Sequence, residues 1–145
     1  MKKAVVLAIT TVVVLGVSVD ASAAVRIVKI YFDSPGADTG TNYSLNREWI
    51  QIHNGGLRAV AIGGWRIRDK SAHVFKLPHI KLKPGQDVRV HTGRGYDAYG
   101  DPIHLYWRSS SYIWNNNGDT ATLKRSNGTV ASRCSYTGAG SYKIC

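Results

Sequence analysis

The chain has 145 residues, of which 19 are Lys or Arg and 9 are Asp or Glu, so its formal net charge is +10 at pH 7. A hydrophobic content of 43% is typical of a globular protein and excludes a wholly disordered chain. The length fits one ordinary domain. The 15 Gly, 8 Tyr and 4 Trp, set against a single glutamate (Glu48), exclude a helix bundle and favour strands.

The first 23 residues have the pattern of a secretory signal peptide. Met1-Lys2-Lys3 gives a positive start, an apolar run covers 4–19, and Ala21-Ser22-Ala23 is the small-x-small motif before the cleavage site. The alternative is a membrane anchor, but the run is shorter than the roughly 20 apolar residues of a membrane span. We therefore expect a secreted, extracellular protein of residues 24–145, with no stable membrane insertion after processing.

The basic character belongs to the mature chain. Cleavage after Ala23 removes Lys2, Lys3 and Asp20 and leaves 17 bases and 8 acids, a net charge of +9.

Two cysteines, Cys134 and Cys145, lie in the mature chain. An even number of cysteines in an exported protein predicts a disulfide, here one that closes the C-terminal tail onto the last strand. Two alternatives stay open: a pair of free thiols, and a Cys145 that pairs between chains.

Short β-branched and aromatic segments alternate with turns along the first half of the mature chain. In the first predicted strand, 25–32, alternation puts Val28, Ile30 and Phe32 on one face and Val25, Ile27 and Tyr31 on the other. A polar loop is expected at 36–45. The next predicted strands are 46–54, 60–69, 73–77 and 80–82.

The strand predicted at 60–69 carries Trp65 and Ile67 on one face and Arg66 and Arg68 on the other. The Gly63-Gly64 pair in front of Trp65 indicates a bulge or a bend.

The second half continues the same pattern. Lys83-Pro84-Gly85-Gln86 has the sequence of a type II turn. Strands follow at 87–91, 103–107, 119–125 and 129–136, and Asn127-Gly128 predicts a hairpin between the last two. The sequence therefore predicts eight to ten short strands, no amphipathic segment of helical length, and a single all-β domain folded as a sandwich or barrel.

Four motifs occur in order across nearly all of the mature chain. They are 45–54 (LNREWIQIHN), 62–69 (IGGWRIRD), 82–93 (LKPGQDVRVHTG) and 114–123 (WNNNGDTATL). Together they resemble the lamin tail domain in its bacterial, secreted, stand-alone form. The resemblance implies an immunoglobulin-like β-sandwich. It also implies a role as an interaction platform, since nuclear lamin tails contact proteins and DNA and bacterial versions are often appended to exported enzymes.

Most of the motif residues have a structural interpretation. Gly64 and Gly85 fit backbone demands, and Trp65 and Trp114 are expected in the core. Asn115, Asn116 and Asp119 are expected to bond the backbone of a turn. The structural motif residues are Glu48, Trp65, Gly85, Trp114, Asn115 and Asp119.

No pattern of catalytic or metal-binding residues emerges. Most of the acids fall in turns, the five histidines lack the spacing of metal ligands, and no GxSxG motif occurs. We expect a non-catalytic protein with no cofactor and no metal site. The alternative is a small secreted nuclease or hydrolase with an unfamiliar site.

Charge is the remaining functional signal. The candidate polyanion-binding residues are Arg66, Arg68, Lys124 and Arg125. Arg66 and Arg68 project from one strand face about 7 Å apart, which suits the repeated charges of DNA or another polyanion. With no base-reading helix and no ordered set of stacking aromatics apparent, such binding would be purely electrostatic. The alternatives are an extracellular protein partner, and a basic surface that only keeps the protein soluble.

Overall fold

The computed structural model describes residues 24–145, so the predicted signal peptide lies outside the described residues. The described chain forms one four-residue helix, α1 (Asn42–Leu45), and twelve strands. The strands are β1 (Val25–Tyr31), β2 (Trp49–Asn54), β3 (Val60–Ala61), β4 (Arg66–Arg68), β5 (Val74–Lys76), β6 (Lys81–Leu82), β7 (Asp87–His91), β8 (Ala98–Tyr99), β9 (Ile103–Tyr106), β10 (Asp119–Lys124), β11 (Val130–Tyr136) and β12 (Tyr142–Ile144). The predicted all-β, immunoglobulin-like sandwich is confirmed, but the predicted count of eight to ten strands is too low, because the strand predicted at 60–69 is divided and the short β8 and β12 were not predicted.

Two sheets form the layers of the sandwich. A six-stranded sheet has the order β12-β1-β2-β7-β9-β8, and a four-stranded sheet has the order β11-β10-β4-β5. All neighbours are antiparallel except β7 and β9, which run parallel. A small two-stranded sheet pairs β3, in the connection from β2 to β4, with β6, in the connection from β5 to β7.

The inward faces of the two sheets enclose one hydrophobic core. Alternation supplies it: Ile50 and Ile52 of β2 and Ala121 and Leu123 of β10 are fully buried, while the residues between them are partly exposed. Within the described chain, no helix is long and apolar enough to cross a membrane.

The alternation predicted for β1 is wrong. A register shift between Ile27 and Lys29, typical of a β-bulge, changes which side chains point inward. Val25, Ile27 and Ile30 are therefore all buried on the core side, and Lys29 and Tyr31 share the outer side.

The strand predicted at 60–69 is two strands that belong to different sheets. The chain turns at Gly63-Gly64, where Gly64 has φ +77° and the Trp65 backbone N donates to the Ile62 oxygen at 3.2 Å. A positive φ suits glycine because it has no Cβ. The bend indicated by the sequence is thus the point where the chain passes into the four-stranded sheet.

The C-terminal tail holds one more strand than predicted. β12 pairs with β1, and the Cys145 backbone N donates to the Val28 oxygen at 2.9 Å. The predicted disulfide is confirmed: Cys134 and Cys145 are bonded, with their Cα atoms 5.8 Å apart. Because Cys134 lies in β11 and Cys145 follows β12, the bond fastens the two sheets to each other along one side of the sandwich.

Candidate functional site

The outer face of the four-stranded sheet carries five cations in two rows. Lys124, Arg66 and Lys76 are register partners on β10, β4 and β5. Arg133 and Arg68 occupy the next row, with one threonine between them. We call these five residues the basic face. Four are exposed and Lys124 is half-buried.

The basic face has no acid among its neighbours on these strands. Three of the eight acids in residues 24–145, Glu48, Asp69 and Asp119, have buried side chains. The others are Asp33, Asp38, Asp87, Asp97 and Asp101, and none of these lies in β4, β5, β10 or β11. The ion pairs within the described residues involve His53, His73 and Arg108. The basic face therefore keeps its positive charge.

Sheet geometry fixes the spacing of these charges. Neighbouring strands lie about 4.8 Å apart, and alternate residues along a strand about 7 Å apart. Five cations at such positions form a dense positive patch, with the side chains anchored on strands whose inward residues, such as Ile67 and Leu123, are fully buried.

The structure brings together Arg66, Arg68 and Lys124 of the predicted residues. The fourth, Arg125, lies beside them at the β10–β11 hairpin. Its guanidinium donates to the Val130 oxygen at 3.0 Å and lies over the Trp65 ring, 5.7 Å from the centroid. Lys76 and Arg133 were missed by the sequence reasoning. Alternation within β5 and β11 would have predicted their outward direction, but not the strand order that makes them neighbours.

Glu48 lies in the core, immediately before β2. Its Oε1 accepts hydrogen bonds from Thr92 Oγ1 (2.5 Å) and from the backbone N of Ile113 (2.8 Å) and Trp114 (3.2 Å). Burial, only partly opposed by these bonds, raises the pKa of Glu48 from 4.5 to about 7. The carboxyl group ties the segment before β10 to the six-stranded sheet.

The other motif residues also hold loops and core. Asp119 accepts from the backbone N of Lys70, Thr120 and Asn115, and Asn115 Oδ1 accepts from the Asn117 backbone N. Trp65 and Trp114 are buried, at 4% and 1% exposure. Gly85 has φ +73°, which suits the third position of a type II turn.

One surface cavity contains the groups that an enzyme could use. It has a volume of about 330 Å³ and is lined by Asp38, Ser71, His73 and Tyr112, among others. His73 Nδ1 lies 2.6 Å from Oδ2 of the buried Asp69, an arrangement that orients an imidazole. Within residues 24–145, however, no hydrogen bond joins Ser71 to His73, and no three His, Cys, Asp or Glu side chains form a group that could hold a metal ion.

Comparison with known proteins identifies the domain. No curated protein matches the chain. The sequence model of the Lamin Tail Domain family matches residues 18–138, which cover the sandwich from β1 to β11 and leave β12 outside. This confirms the resemblance carried by the four motifs, and the chain belongs to the lamin tail domain family.

Proposed function

We propose that the protein is an exported, non-catalytic binding module whose basic face binds polyanions, such as DNA or an anionic envelope polymer. The observation that carries the proposal is the two rows of cations, without an acid among their neighbours on the sheet, in the register of β11, β10, β4 and β5. Membership of the lamin tail domain family supports a binding or structural role.

Counterion release supplies the affinity. Each phosphate that a cation neutralises frees a condensed ion, so the logarithm of the affinity falls with the logarithm of the salt concentration. Five contacts on duplex DNA give a slope of about −4.5, and nonspecific binding of this kind has dissociation constants of roughly 1–100 µM at physiological salt.

The shape of the face determines the selectivity. The five long cationic side chains of the sheet surface can contact phosphates, but the face has no helix to enter the major groove, where base pairs are distinguished. Contacts to phosphates position a protein without reading sequence. We therefore expect duplexes of different sequence, and heparin, to bind similarly at equal salt.

Export follows from the predicted signal peptide, and the Cys134–Cys145 disulfide is compatible with an oxidising compartment. N-terminal sequencing of the secreted protein tests export, and we expect the protein to begin at Ala24. A retained Met1 would favour the alternative of a membrane anchor.

The second candidate function is a small secreted hydrolase that would use the cavity beside His73. Incubation with plasmid DNA and simple esters tests for that activity.

The test of polyanion binding is a titration of residues 24–145 with duplex DNA and with heparin at several salt concentrations. We expect the Arg66→Gln/Arg68→Gln double variant to lower the magnitude of the salt slope by about 1 to 2. The control is Lys81→Gln/Lys83→Gln, which removes the same charge from two exposed side chains outside the basic face. An absence of binding at low salt, or equal losses in both double variants, would contradict the proposal.

A further inference from the structure

The outer face of the six-stranded sheet carries a row of aromatic rings. Tyr142, Tyr31, Trp49, His91 and Tyr106 are successive register partners on β12, β1, β2, β7 and β9. We call these five residues the aromatic ladder. At a strand spacing of about 4.8 Å its four steps span roughly 19 Å. No ordered set of stacking aromatics was expected from the sequence, and the ladder corrects that expectation.

The rings form two stacked groups. Tyr31 stacks with Tyr142 and with Trp49, at centroid distances of 5.8 Å and 5.5 Å. On the other side, His91 stacks with Tyr106 and with His104 of β9, both at 5.1 Å. The ladder faces solvent: its members are partly exposed, and Tyr142, on the edge strand, keeps 51% of its surface accessible.

Two cations lie in the row beside the ladder. Lys29 Nζ is 4.1 Å from the centroid of the Tyr142 ring and 5.4 Å from that of Trp49. The Arg89 guanidinium is 4.7 Å from the Trp49 ring, and its Nε donates to Gln51 Oε1 at 3.0 Å. The cations are thus held next to the rings.

The cations in the row beside the ladder are Lys29 and Arg89, and the exposed Arg26 of β1 lies further along the same face, in register with His53. Burial lowers the pKa of both His91 and His104, so these rings are neutral at neutral pH. The acid on the outward side of β7, Asp87, has its Oδ1 2.9 Å from His53 Nδ1.

From this arrangement we infer that the aromatic ladder binds single-stranded nucleic acid, with bases stacking on its rings and phosphates contacting Lys29 and Arg89. Every base has a π-face, and rings flanked by cations are the recurring means of holding a single strand without reading its sequence. In a duplex the bases are already stacked and paired, so no base face is available to stack on the rings of the ladder.

Charge and ring complementarity favour this occupant over other polymers. A neutral polysaccharide has no charge to pair with Lys29 and Arg89, and heparin has no aromatic unit to stack. The inference deepens the proposed function by naming one polyanion, but it uses the opposite face of the sandwich. The two proposals can therefore fail separately.

The experiment compares residues 24–145 binding to a 12-nucleotide oligothymidylate, to a duplex of the same length, to heparin and to a neutral glucan. We expect the wild type to prefer the single strand over the duplex. Trp49→Ala should weaken single-strand binding about tenfold or more, because the ring at the centre of the stacking surface, which packs against Tyr31 and Arg89, is lost. Its affinity for duplex and heparin should stay unchanged.

Two further ring variants make the test independent of folding, and a variant of the basic face is the control. Tyr142→Ala alters a half-exposed residue of the edge strand and should lower single-strand binding in the same direction. Trp49→Phe keeps a ring and should restore most of the loss. Arg66→Gln/Arg68→Gln should lower duplex and heparin binding while the preference for the single strand remains.

Three results would overturn the inference. The first is equal affinity of the wild type for the single strand and the duplex, and the second is single-strand binding that survives both Trp49→Ala and Tyr142→Ala. The third is glucan binding that depends on Trp49 and exceeds oligothymidylate binding, which would assign the ladder to carbohydrate.

Discussion

The two outer faces of the sandwich both carry cations, but the neighbours of those cations differ. On the basic face the cations stand on neighbouring strands with other cations and small polar residues between them. Beside the aromatic ladder, Lys29 and Arg89 each lie over a ring, and Asp87 of the same sheet face pairs with His53. The first face can neutralise a uniformly charged polymer, whereas the second combines a few charges with stacking surfaces. The difference arises from strand register, because the register of each sheet determines which outward side chains become neighbours.

Both faces depend on the core between them, and the largest expected effect comes from removing part of it. Trp65 is 4% exposed and directly precedes β4, which carries Arg66 and Arg68. Trp65→Ala should lower the free energy of unfolding by about 3–5 kcal/mol, measured by urea denaturation. A loss below about 1 kcal/mol would contradict the burial of this ring.

The buried Glu48 precedes Trp49 of the ladder, and it should make the stability depend on pH. Its folded-state pKa of about 7 exceeds the ordinary value of 4.5, so protonation favours the folded protein. This contribution is complete below pH 4.5 and is lost as the pH rises through about 7. Glu48→Gln, which stays neutral, should gain up to about 3 kcal/mol over wild type between pH 4.5 and 8.

Urea denaturation at both pH values checks this expectation. The control is Asp101→Asn, which removes an exposed acid. A difference between Glu48→Gln and wild type that does not change with pH would mean that Glu48 stays ionised in the folded protein.

Removal of the disulfide should affect the aromatic ladder but not the basic face, because the bond holds β12 and hence Tyr142 in place. Cys145→Ser should lower the stability by at most about 3 kcal/mol, since the closed loop is short. It should also reduce the preference for single-stranded over duplex DNA while leaving duplex binding unchanged. Alkylation of the native, unreduced protein at either cysteine would contradict the bridge.

Local features of the fold could be predicted from the sequence, and non-local ones could not. Asn127-Gly128 and Lys83–Gln86 specify turns through their own backbone preferences, and the alternation of Trp65 to Arg68 predicts which side chains point outward. The bulge in β1 could not be predicted in this way. One extra residue shifts the inward and outward alternation of the strand, but the residue types in the strand stay those of an ordinary strand. β12 has three residues, too few to show an alternation.

The same limit applies to the two candidate sites. Arg66 and Arg68 are neighbours on one strand, so alternation finds them. Lys76 and Arg133 join them only through the strand order of the sheet. The ladder assembles one residue from each of five strands that are spread from Tyr31 to Tyr142, and no spacing along the chain reports that register.

The most direct test of the account compares equal losses of charge from the two faces. Salt titrations of duplex DNA binding should be run on Arg66→Gln/Arg68→Gln and on Lys29→Gln/Arg89→Gln, each of which removes two positive charges. We expect the first pair to lower the magnitude of the salt slope by about 1 to 2, and the second pair to leave it nearly unchanged. Equal changes in both pairs would show that duplex binding follows net charge alone, and would contradict a polyanion site on the basic face.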